Sequence, residues 1–121
     1  MRYTKKNLRD VEDVAAKHGY SEHQEARFAR ADLEASDTGL AYLLIRPGRS
    51  EPFAHRHREA EEIILVLTGG GRIYLDDEQV QLTRLDAIRV PAGITRRLEA
   101  GEDGLEVVVF GVHVEGDAEI V

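Results

Sequence analysis

The stretch "FAHRHREAEEIILVLTGGG", Phe53 to Gly71, sets two histidines one residue apart, a cluster of acids behind them, then an apolar run that ends at three glycines. Side chains on a strand alternate between faces, so His55 and His57 point to one side and Arg56 to the other. Four residues, "REAE", separate His57 from Glu62, which opens the next strand and can face back toward the histidines. Along that strand Glu62 shares parity with Ile64, Val66 and Thr68, while Glu61 falls on the opposite set. Glu62 is therefore the third member of the cluster, with Glu61 the alternative if the register slips by one. Two imidazoles and one carboxylate on a common face make a facial ligand set for a divalent metal, with coordination positions left open. The competing reading is an exposed charged strand whose histidines ligate nothing.

The glycines of "TGGGR" invite comparison with a phosphate-binding loop, but such a loop leads into a helix whose free N–H groups face the anion. Here they lead into "RIYLDD", which alternates as a strand does. A hairpin turn built from glycine is the expectation.

Composition limits what can surround this stretch. A chain of 121 residues forms one domain, large enough to fold on its own core. Hydrophobic residues make up 42% and charged residues 32%, a globular balance, and with no Trp and 6% aromatics the core has to be aliphatic. The absence of Cys excludes disulfides, thiolate nucleophiles and Cys-ligated zinc or iron–sulfur centres, so a metal here takes nitrogen and oxygen ligands. The net charge of −7 argues against affinity for nucleic acid or anionic membrane. No apolar run reaches the length of a membrane span, and the polar start "MRYTKKNLRD" is no secretory signal, so a cytoplasmic protein is expected.

Residues 1–25 read as a helical lead segment, 26–115 as a β region and 116–121 as a tail that frays. In "NLRDVEDVAAKHG" the residues Leu8, Val11, Val14 and Ala15 recur at helical spacing, with Asn7 as cap and Gly19 as stop, which predicts one short amphipathic helix. The β region divides into short strands: Ala26 to Leu33, Leu40 to Arg46, Pro52 to His57, Glu62 to Thr68, Arg72 to Asp76, Gln79 to Leu82, Ala87 to Val90, Thr95 to Glu99 and Leu105 to Val114. Both alternating sets are aliphatic in Ile63 to Leu67 and, apart from Gly111, in Val107 to Val112. Such strands need cover on both faces, which a homodimer or the N-terminal helix would supply.

The arrangement "PGRSEPFAHRHREAEEIILVLTGGGRIYL" resembles the first motif of the cupin superfamily: a glycine, a spacer, His-x-His, four residues, Glu, six residues, Gly. Those positions are Gly48, His55, His57, Glu62 and Gly69 here, the first spacer being one residue longer than usual. The stretch "LDAIRVPAGITRRLEA" is similar to the second cupin motif through Pro91, Ala92 and Gly93. The resemblance covers roughly residues 40 to 112 and implies an all-β fold, a double-stranded β-helix or jelly-roll barrel, with a small-molecule pocket in its lumen. It also implies His55, His57 and Glu62 as ligands of a divalent metal such as Zn, Fe, Mn or Ni.

The second motif departs from the family where that chemistry would sit. Leu85 replaces a glycine, Ala100 an asparagine, and Arg96 stands in place of the fourth ligand histidine. Arg96 shares parity with Leu98, so it enters the lumen if Leu98 is in the core. A guanidinium has no lone pair to give and stays charged. At about 4 Å it repels a divalent ion by roughly 8 kcal/mol at an effective dielectric near 20, comparable with much of a good site's binding energy. Two arrangements resolve this conflict. Either Arg96 bends to the pocket mouth and clamps an anionic ligand beside a metal held by His55, His57 and Glu62, as in a metal-dependent oxygenase or isomerase. Or Arg96 crosses the lumen, pairs with Glu62 in place of the metal, and the protein is a metal-free binding or structural member of the family. His113, His18 and His23 read as ordinary surface histidines, and Tyr42, Tyr74 and Gln81 as residues whose faces depend on the register.

Overall fold

The computed structural model describes residues 2–121. Eight strands, β1 (Gln24–Phe28), β2 (Thr38–Ile45), β3 (His55–His57), β4 (Glu62–Leu75), β5 (Glu78–Leu82), β6 (Ala87–Val90), β7 (Arg96–Val112) and β8 (Ala118–Ile120), pair antiparallel in one curled sheet. The order runs β1-β2-β7-β3-β8, with β4 joining β7 to β5 and β6. The expected all-β barrel is present, and among the described residues no helix is long and apolar enough to cross a membrane.

Two long strands make the barrel. β4 lies along β7 in two halves: Ile63 to Val66 opposite Val107 to Phe110, and Gly71 to Leu75 opposite Arg96 to Ala100. Register shifts between Val66 and Thr68 and between Gly69 and Gly71 separate the halves. The glycine run is therefore no hairpin turn, and the expectation of two strands on either side of it is corrected to one bent strand. The reason is close backbone approach: a Cβ on Gly69 would stand 2.1 Å from the carbonyl oxygen of Gly104, and one on Gly71 2.0 Å from that of Glu99. Gly69 and Gly104 also take positive φ, 74° and 79°, as bulged strands that bend sharply require. The same bend joins the two expected strands on either side of Gly101 to Gly104 into β7.

The core lies where inward-facing aliphatics of the halves meet: Ile45, Val66, Ile73, Leu98, Leu105 and Val107 are each at most 1% exposed. The alternate set on the outer side, Ile63, Leu65, Val108 and Phe110, is only half-buried in the single chain.

The lead segment differs from the single helix expected. Asn7 does cap, but it starts one 3-10 turn, Leu8–Asp10; the α-helix α1 (Val14–Lys17) begins separately behind Asp13. The Asp13 carboxylate accepts from the N–H of Ala15 at 3.0 Å and of Ala26 at 2.9 Å, so it caps α1 and ties it to β1 in one stroke. Ala15 of α1 then joins the core. At the other end the residues read as a fraying tail form β8, an edge strand on β3 pairing His55 with Ile120 and His57 with Ala118.

Candidate functional site

Three strands and one turn converge on the lumen. β3 carries His55 and His57 inward, and its Arg56 faces out, 2.9 Å from Glu119. β4 opens with Glu62 turned in, parity with Ile64 and Val66 placing it there. Glu61 lies outside, 3.4 Å from Arg89. β7 opens with Arg96 opposite His55. His55, His57 and Glu62 present one donor atom each, all within 4.8 Å of one another, a group that could hold a metal ion.

Arg96 does not reach the pocket mouth. Its side chain is 1% exposed, and Nη1 donates to Glu62 Oε1 at 2.9 Å. Nε donates to the Ile94 carbonyl at 3.0 Å and Nη2 to the Pro91 carbonyl at 3.1 Å. The other Glu62 oxygen, Oε2, lies 3.3 Å from His57 Nε2. On the far side of that ring, His57 Nδ1 lies 3.3 Å from Asp117 Oδ2. Four groups thus run in a chain, Arg96, Glu62, His57, Asp117, alternating in sign when the His57 ring is protonated. As a metal site the donor types and spacing fit, but both oxygens of its carboxylate are already engaged and a guanidinium sits at the place of a fourth ligand.

The electrostatics follow the chain. Burial raises the Glu62 carboxyl, but His57 and Arg96 outweigh it and hold the group below the usual carboxylate range. The bond to Glu62 raises His57 above its ordinary value despite partial burial. His55 goes the other way: burial, and then the charge of Arg96, push it down to about 4, so it is neutral. Its ring stands 5.2 Å from that of His57, edge to face, and it has no side-chain hydrogen bond among the described residues.

Sequence reasoning missed two acids. Glu51, 7% exposed, accepts the Leu98 N–H at 2.8 Å, and burial raises its carboxyl to about 7. Asp117 is 5% exposed and accepts the N–H groups of Glu59 at 2.8 Å and Ala60 at 3.0 Å. A readable signal for Asp117 was the turn residue Gly116 before it and "AEI" after it, which alternates as an edge strand does. Other sequence candidates lie apart from the cluster: His113 pairs with Glu115, Tyr42 with Glu106, and Tyr74 with Glu99.

Above the cluster the lumen opens as a cavity of about 480 Å³ between α1, β1 and β8, with walls that include Ala26, Leu43, Phe53, Ile64 and Val109. The walls are mostly apolar and a few polar side chains, Gln24 and Glu51 besides the cluster itself, also line them, the usual form of a small-molecule site.

Fold and site together define a jelly-roll barrel with a His-x-His and Glu cluster in its lumen. The chain belongs to the cupin family: residues 41–113 match the cupin domain. Among solved structures, a cupin protein from Bacteroides fragilis is 21% identical, with 96% of this chain and 88% of that one covered at a TM-score of 0.75. A Streptomyces protein, PAC13, solved with uridine, is 18% identical over 100% of this chain and 92% of its own, TM-score 0.77. The oxalate decarboxylase of Bacillus subtilis gives a TM-score of 0.81 at 18% identity; all of this chain covers 33% of that larger protein. No curated protein matches in sequence. Identities this low carry the fold alone.

Proposed function

We propose that this cupin binds a small, largely apolar, uncharged molecule in its lumen, and that the Arg96–Glu62 pair takes the place of a bound metal. The observation that carries the reading is the double engagement of Glu62, Oε1 by Arg96 at 2.9 Å and Oε2 by His57 at 3.3 Å. A divalent ion would have to break both contacts and sit beside a buried guanidinium. The same pairing argues against an anion clamp, because Arg96 already donates to one carboxylate and two carbonyls. What the chamber offers a ligand is mostly apolar wall, the neutral, unengaged ring of His55 with one nitrogen to donate and one to accept, and the buried, unpartnered side-chain oxygen of Gln24. A hydroxyl on an apolar body matches that offer. The Streptomyces neighbour was solved with an uncharged ligand, uridine, in a chain of similar length.

Methyl NMR of the protein kept in chelator tests this with matched pairs such as benzyl alcohol and benzoate. Saturable shifts at Leu43, Ile64 and Val109 are expected with the alcohol and not with the acid. Tighter binding of the carboxylate, or binding only after metal is added, would favour the second reading. That reading is a metal-dependent oxygenase or isomerase acting on a small anion, and it rests on the proximity of the three donors. It needs Arg96 to leave Glu62.

A further inference from the structure

Gln24 opens β1, and strand alternation turns it to the same side as Ala26, into the chamber. Its backbone is fixed twice, by pairing with Ile45 of β2 and by donating its N–H to the Tyr20 carbonyl at 3.1 Å. The side chain has no such anchor: the residue is 6% exposed, and its Oε1 has no hydrogen-bond partner among the described residues. A buried acceptor left unpaired is costly, and an apolar side chain at this position would avoid the penalty. The inward residues beside it, Ala26, Leu43 and Ile45, are all apolar and buried. Glu51 also lines the chamber, but its carboxylate takes the Leu98 N–H at 2.8 Å and leaves Gln24 Oε1 unpartnered. The partner that the fold does not supply has to be a donor brought by a ligand.

Gln24 and His55 reach the chamber from different walls. β1 is joined through β2 to residues 105–112 of β7, whereas β3 pairs with the other end of that strand, at Arg96. The two groups also differ in what they recognise. A neutral imidazole donates from one nitrogen and accepts at the other, so it serves a hydroxyl and an ether alike; a carboxamide oxygen only accepts. We infer that Gln24 is the specificity-determining residue of the lumen, selecting a neutral ligand that carries a hydrogen-bond donor, a hydroxyl or amide N–H, at the β1 wall. The inference rests on the reading of the lumen as a site for a small uncharged molecule, and adds which polar group that molecule must carry and where.

Two isomers of one formula isolate the donor: 2-phenylethanol, which has it, and benzyl methyl ether, which does not. Each is titrated into the full-length wild type and into Gln24→Met, which keeps the length of the side chain and removes its oxygen, with methyl NMR at Ala26 and Leu43 as the readout. The wild type is expected to bind the alcohol at least about tenfold more tightly than the ether, the ratio set by leaving a buried acceptor unpaired. Gln24→Met is expected to lose that preference, and without ligand to melt at a higher temperature than the wild type. Equal binding of both isomers by the wild type, or a preference that survives in Gln24→Met, would overturn this inference alone. A ligand-free variant that melts lower would overturn it too, because Oε1 would then have a partner within the fold. Binding of neither isomer would overturn the small-molecule reading of the lumen, and this inference with it.

Discussion

Leu85 stands where the family motif has glycine, and it adopts a φ of 70° with its side chain exposed. A left-handed leucine costs about 1–2 kcal/mol, part of which glycine returns as extra freedom in the unfolded chain. Leu85→Gly should therefore raise the unfolding free energy by about 0.5–1 kcal/mol in urea titration, and a loss of stability would mean that the exposed side chain packs more than it shows. Glu51 makes a sharper, pH-dependent case. Its carboxyl sits at about 7 in the fold against an ordinary 4.5, so the folded state holds a proton that the unfolded state releases. The native state therefore loses stability as pH rises from about 4.5 to 7 and carries the full cost above that. Glu51→Gln keeps an oxygen for the Leu98 N–H and removes the titration. The variant should gain on the wild type through that window, reaching on the order of 3 kcal/mol above it. A pH-independent difference would contradict the assignment. His55 has the opposite sign: depressed to about 4, its contribution is present above its ordinary 6.5 and is lost as pH falls toward 4. At this scale the sequence was most legible for side chains fixed by strand parity, as with His55, His57, Glu62 and Arg96. Glu51 and Asp117 were not, because each owes its place to backbone N–H groups on a distant segment, which no local pattern encodes.

β4 and β7 show where local reading ends for whole elements. Their alternation was plain on either side of the glycines, and the halves were found nearly to the residue. What joined them was not, since glycine is as apt for a turn as for a crossing of two backbones. The sequence alone does not contain the Glu99 and Gly104 carbonyls that decide between these. Gly71→Ala tests the crossing: its Cβ would meet the Glu99 carbonyl oxygen at 2.0 Å, and backbone has nowhere to go. A loss above about 3 kcal/mol, or failure to fold, is expected, whereas Gly101→Ala, with its nearest contact at 3.4 Å, should cost far less. Equal effects, read by thermal unfolding, would count against a close crossing at this point. The lead helix failed for a related reason, because Asp13 bonds to Ala26 as well as to its own helix. β8 was missed because its three residues owe their strand to pairing with β3.

For the molecule as a whole, the chain of Arg96, Glu62, His57 and Asp117 braces four separate segments, the two long strands, β3 and the C-terminal turn. Removing one partner of a buried pair leaves the other charge uncompensated, so Arg96→Ala should cost about 3–5 kcal/mol. It also frees Glu62 for a metal, which makes the role of Arg96 separable from mere packing. The most direct measurement is calorimetric titration of zinc and manganese into protein purified without a histidine tag, wild type against Arg96→His. The account predicts no stoichiometric binding to the wild type at micromolar metal, and about one equivalent bound by Arg96→His, abolished again by His55→Ala. One tightly held equivalent in the wild type, lost on replacing His55 or His57, would contradict it.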